Sequence, residues 1–168
     1  AAELGSLAAI YPGATVLAGH QATIGAALAA LDGADVAHVA AHGRFRADNP
    51  LFSALVLADG PLTVYDLERL HRAPRTIMLA ACDSGLSQVQ PGDEMSGLAT
   101  ALLAVGASTV VAPLLPLPDE VSEALAHRWH QLVSSGNTPA AALEAVRAQS
   151  GGAAAGLAAA TGKAEAQG

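Results

Sequence analysis

Apolar positions along the chain fall into short runs separated by stretches with helical spacing. That rhythm fits strands and helices alternating around a mainly parallel sheet. The runs 14–18 (ATVLA), 35–41 (DVAHVAA), 53–58 (SALVLA), 75–81 (RTIMLAA) and 108–114 (STVVAPL) read as strands. The second shows little alternation, and the fourth and fifth read as buried, as strands covered on both faces do. Helical patterns occupy 3–11, 23–31, a segment after Thr63 through Tyr65, Leu67 and Leu70, then 93–105, 119–133 and 138–147. Thr63 is placed as an N-cap, whose side-chain oxygen can accept a backbone N–H of the first turn. Pro139 suits a first helical position, where its missing N–H has no partner to lose. Pro12-Gly13, Asp32-Gly33, Asp59-Gly60-Pro61, Gly106 and Gly136-Asn137 supply the breaks. The polar stretch 44–50 reads as a loop.

From Ser150 onward the residues are GGAAAGLAAATGKAEAQG, a low-complexity run of small side chains. This predicts one domain over residues 1–149, followed by a weak helix or flexible tail over 150–168 with no strand in it. Of 168 residues, 52% are hydrophobic and 14% charged, enough apolar material for a substantial core. Fifteen acids against eight bases, a formal charge of −7, argue against a nucleic-acid partner, which needs a basic face. No uninterrupted apolar stretch is long enough to span a bilayer, and the first residues lack the basic-then-apolar order of a signal peptide. No membrane association is expected, and the expected location is cytoplasmic. The single cysteine cannot close an internal disulfide or build a Cys-rich zinc site. No metal or cofactor is expected.

Candidate chemistry gathers at two strand ends. His42 follows the run 35–41 and Cys82 follows 75–81, and crevices in open α/β sheets form beyond the carboxyl ends of strands. A thiol is mostly protonated at neutral pH, whereas the thiolate is the nucleophile. An imidazole beside it can take the proton and later return it to a leaving amine. Gly43 leaves room for a substrate carbonyl, and the backbone N–H groups of Gly43 and Cys82 are candidate oxyanion donors. The ordinary alternatives are a core thiol at Cys82 and a loop histidine at His42. His38 reads as a buried structural histidine, and His20, His71, His127 and His130 as surface or helix-end residues.

The runs His38-Val-Ala-Ala-His42-Gly43 and Leu79-Ala-Ala-Cys82-Asp-Ser-Gly85 are similar to the signatures of CHAT domains. Further matches follow in order at Gly92-Asp-Glu94, Gly97-Leu98-Ala99, Gly106-Ala107, Val110-Val-Ala112 and Ala140-Ala-Ala-Leu143. CHAT domains are grouped with caspases, separases and gingipain-like peptidases. The resemblance implies a caspase-like three-layer α/β/α sandwich and a cysteine endopeptidase with His42 as base and Cys82 as nucleophile. It implies a protein or peptide substrate cut after a basic residue, with Asp119, Asp83 and Glu94 as candidate acids of the binding pocket. Asp119 suits a helix N-cap equally well, and Glu94 suits the first turn of its helix. A larger parent protein with tetratricopeptide-like repeats is also implied. Three positions depart from the family pattern. Leu115 stands where many members carry Trp, Ala80 and Ala81 where Ser is common, and the tail lacks the usual closing strand. An inactive scaffold for protein contacts is the alternative function.

Overall fold

The computed structural model describes residues 2–44, 52–80, 91–113, 119–150 and 157–161; at 2, 91–97, 119 and 157–161 it describes the backbone alone. Among the described residues, seven strands form two sheets. In the larger, β1 (Val36–Val39), β5 (Thr76–Leu79) and β6 (Thr109–Pro113) run parallel, and β7 (Leu157–Thr161) closes the far edge antiparallel to β6. In the smaller, β2 (His42–Arg44), β3 (Ala54–Leu57) and β4 (Gly60–Thr63) make an antiparallel meander.

Side chains alternate across a strand, so the central strands feed two separate cores. Ile77, Leu79, Val110 and Ala112 point to one face, where Leu98, Ala99 and Leu102 of α4 (Pro91–Ala104) cover them. Ile24, Ala27 and Leu28 of α2 (Ile24–Leu31) pack on the same side. Met78 and Val111 point to the other face, against α5 (Asp119–Ser134) and α6 (Pro139–Gln149). There Trp129 is wholly buried and donates its indole N–H to the Pro139 carbonyl at 3.1 Å. The result is the mainly parallel α/β sheet expected from the run-and-helix rhythm, with helices on both faces in the three-layer arrangement that the CHAT resemblance implies. The described residues also include two short α-helices, α1 (Ala2–Ala8) and α3 (Val64–Leu67).

The register between β1 and β5 is set at their entrances. Gly33 donates its N–H to the Arg72 carbonyl at 2.7 Å, Arg75 to Ala34 at 2.8 Å, and Thr76 to Asp35 at 3.0 Å. Gly33 sits at φ +71°, in the left-handed region that favours glycine; a Cβ there would also meet the Arg72 guanidinium at 2.7 Å and displace that flexible side chain. The small sheet is anchored separately. Ala58 donates to the Ala22 carbonyl at 2.9 Å, and Asp59 accepts the Ile24 N–H at 2.8 Å, tying the β3–β4 turn to the start of α2. Thr63 and Asp66 form a reciprocal capping box that turns β4 into α3.

Three sequence expectations need correction. Residues 14–18 form no strand and join no sheet. Their apolar pattern is real, but much of the segment is exposed, Val16 at 43%. His42–Arg44 is a strand rather than the start of a loop, because β3 offers it an antiparallel edge. The tail does carry a closing strand: residues 157–161 pair with β6 from Thr109↔Thr161 to Pro113↔Leu157. Leu-Ala-Ala-Ala-Thr has no strand propensity to speak of, so the pairing comes from the edge of β6 and not from local preference. The loop read at 44–50 lies, beyond Arg44, outside the described residues.

Candidate functional site

The two ends where chemistry was expected leave adjacent parallel strands at the same level. Val39 pairs with Leu79 in the register of β1 and β5, and Ala80 donates its N–H to the Val39 carbonyl at 2.8 Å. His42 is three residues beyond Val39, and Cys82 three residues beyond Leu79. After Val39 the chain leaves the large sheet and enters β2, where His42 pairs with Val56 and Gly43 with Leu55. His42 is exposed there and Gly43 half-buried. Leu55 and Leu62 beneath it belong to the main core, at 3% and 2% exposure, so the strand that holds His42 rests on a packed floor.

Cys82 and Asp83 lie outside the described residues, as does Leu115. Glu94 lies within α4 and Asp119 is the first residue of α5; their side chains are outside the described set. The structure therefore places His42 and Gly43 at the rim, and α4 and α5 on opposite faces of the sheet that ends there.

His38 is not part of the rim. It lies within β1, its side chain 8% exposed, and points to the α5 face. Its Nδ1 is 3.1 Å from His130 Nε2, and its Nε2 is 3.3 Å from Glu3 Oε1, a close polar contact off the ideal hydrogen-bond line. The Tyr11 hydroxyl reaches His130 Nδ1 at 2.9 Å and the His130 carbonyl at 3.2 Å. Burial pushes the Tyr11 pKa up to about 12, so the hydroxyl remains a donor. One assignment satisfies the row: Tyr11 O–H to His130 Nδ1, His130 Nε2–H to His38 Nδ1, and His38 Nε2–H toward Glu3. The polar contact with His38 holds the Glu3 carboxyl below its ordinary value, outweighing the opposing effect of burial. Desolvation, with repulsion from His38 and His127, pushes His130 down to about 3, so it is neutral. This row ties α1 and α5 to β1, one strand position before the chain departs for His42.

The reading of His130 as a surface or helix-end residue is thus corrected: it is 1% exposed. The signal was present in α5, where Leu125, Ala126, Trp129 and His130 recur at helical spacing and are all buried. Charge alone made the histidine look external.

Among the described residues no helix is long and apolar enough to cross a membrane. No curated protein matches the chain. The sequence pattern of the CHAT domain matches residues 1–151. With its parallel β1-β5-β6 sheet between helical layers, the chain belongs to the CHAT family and is a caspase-like, peptidase-related α/β domain.

Proposed function

We propose that this domain is a cysteine endopeptidase in which the Cys82 thiolate attacks a peptide carbonyl and His42 carries the protons. The observation that supports this reading most is the Val39↔Leu79 register, with each reactive residue three positions further along its own chain. Three residues of extended chain reach about 10 Å, and neighbouring strands are about 4.8 Å apart, so a meeting at one rim costs no distortion of the sheet.

In the proposed cycle His42 accepts the thiol proton, and sulfur adds to the scissile carbonyl carbon. Charge on the carbonyl oxygen is held by the N–H groups of Gly43 and Cys82. Collapse of the adduct breaks the C–N bond as His42 protonates the amine, leaving a thioester. Water, deprotonated by His42, adds to the thioester and restores the thiol. Asp119, Asp83 and Glu94 are the acids proposed to favour a basic residue before the cut. The substrate is a protein or peptide, and the domain acts as the effector of a larger regulated protein with a repeat region. A lone free thiol suits a reducing compartment such as the cytoplasm.

Purified wild type cleaves members of a peptide library with a basic residue before the cut. Cys82→Ala cleaves none of them while its circular dichroism is unchanged. Cleavage that survives in Cys82→Ala ends the proposal. An inactive scaffold is the alternative reading; of the two departures that favour it, the absent closing strand is answered by β7, and Leu115 lies outside the described residues.

A further inference from the structure

The strand that hands the chain to His42 is less firmly enclosed than its neighbour. All four residues of β1 are half-buried, whereas β5 is buried throughout. Only Ala40 and Ala41 separate β1 from β2, so a swing of the end of β1 about its ladder to β5 reaches His42 with little slack. On the α5 face β1 presents Val36 and then His38, its last side chain there before the chain departs. The partner of His38 in β5 is Met78, an apolar member of the same layer. A leucine at position 38 would fill that space equally well; a histidine adds a bond with a direction. Its partner His130 is itself fixed by rings, with Trp129 edge-on at 4.8 Å between centroids and Tyr11 edge-on at 5.5 Å. The Tyr11 hydroxyl lies 2.9 Å from His130 Nδ1, and His130 Nε2 lies 3.1 Å from His38 Nδ1. A buried polar row of this kind holds the elements it joins in one arrangement.

We propose that Tyr11, His130 and His38 are positioning residues for His42: the row fastens the exit of β1 to α5 and, through Ala40 and Ala41, fixes where the imidazole stands relative to Cys82. This inference rests on the peptidase reading. The row lies behind the rim and acts through the backbone alone. It complements the ties on the other face, where Ala58 and Asp59 of the small sheet bond to Ala22 and Ile24 at the start of α2. His42 is thus held from both sides of the large sheet, by α2 through β3 and by α5 through β1. A general base must stand within hydrogen-bond reach of the proton it takes, and a displacement of about 1 Å can cost on the order of 100-fold in rate. Substrate contacts along the rim are untouched by the row, so its loss falls on kcat and not on KM.

The test is steady-state cleavage of the basic-residue peptides by the intact chain and its variants. His38→Leu keeps the bulk and removes the bond to His130; kcat is expected to fall on the order of 10- to 100-fold with KM within about twofold of wild type. In His38→Asn the side-chain oxygen can stand where Nδ1 stood and accept from His130, so kcat returns to within about threefold of wild type. Val146→Ala removes buried volume from the same layer without touching the row, and its kcat stays within about twofold of wild type. Three results overturn the positioning role alone: a wild-type kcat in His38→Leu, an Asn variant no faster than the Leu variant, or an equal fall in Val146→Ala. A wild type that cleaves none of the peptides removes the peptidase reading and this inference with it. If His38→Leu fails to fold, Tyr11→Phe decides. It keeps the ring and loses the hydroxyl, and its kcat is expected to fall about threefold or more at unchanged KM; an unchanged kcat overturns the inference.

Discussion

The two sheets of this domain are built on different terms. In the large sheet, β5 is buried at all four positions and β6 at four of five, because helices lie on both faces. In the small sheet, β2 is exposed at His42 and Arg44 and half-buried only at Gly43, while Leu55 and Leu62 face the core. A strand enclosed on both sides has its register dictated by packing; one enclosed on a single side can present a side chain to solvent without loss. His42 stands on the second kind, held by backbone pairing to β3 over a packed floor. On the peptidase reading, stability and chemistry are thereby divided between neighbouring sheets, and substitutions can separate them.

The widest separation is expected between His42→Ala and Trp129→Ala. On the peptidase reading, losing the general base lowers the cleavage rate by roughly 10²- to 10⁴-fold, with little change in thermal midpoint. Trp129 fills the α5 layer over the large sheet, and its truncation costs about 3–5 kcal/mol of folding stability in denaturant titration. A His42→Ala chain that unfolds as readily as Trp129→Ala would erase the division.

A smaller, pH-dependent effect belongs to the layer beneath the large sheet. His130 is pushed down to about 3, so between that value and the ordinary histidine pKa of about 6.5 the unfolded chain binds a proton that the folded chain does not. Stability contributed by neutral His130 is complete above about pH 6.5 and falls on acidification, by about 1.4 kcal/mol per pH unit inside the window. Glu3, whose carboxyl is held below its ordinary value, adds loss in the same direction at lower pH. Replacing His130 by Asn should flatten the curve between pH 6 and 4 by up to about 1.4 kcal/mol per pH unit. An unchanged slope in that variant would show that the buried row does not govern acid stability. The smallest effect is expected at the small sheet's exit. Thr63→Ala dissolves the capping box with Asp66 and should lower stability by about 1 kcal/mol.

The same contrast explains what was readable from sequence. The runs at β5 and β6 are legible because enclosure on both faces demands unbroken apolar residues, and Thr63 and Thr138-Pro139 because capping is local chemistry. Strands whose existence depends on a partner were not legible. His42–Arg44 and 157–161 carry no strand composition and are recruited by the edges of β3 and β6. Residues 14–18 show the reverse, an apolar strand-like run with no ladder in the structure. At the candidate site, the two candidate residues were visible from their positions past strand ends, while the equal offset from Val39 and Leu79 required the register. His130 was hidden by its polarity, since its partners Tyr11 and His38 lie 119 and 92 positions away.

Alkylation of Cys82 by iodoacetamide, followed by mass spectrometry across pH in wild type and His42→Ala, tests the pairing of thiol and imidazole most directly. An unassisted cysteine ionises near pH 8.5, so alkylation without a partner becomes rapid only above neutrality. Wild-type Cys82 is expected to react readily below pH 7, and His42→Ala to shift the profile upward toward the unassisted value. Identical profiles for the two proteins would contradict the pairing.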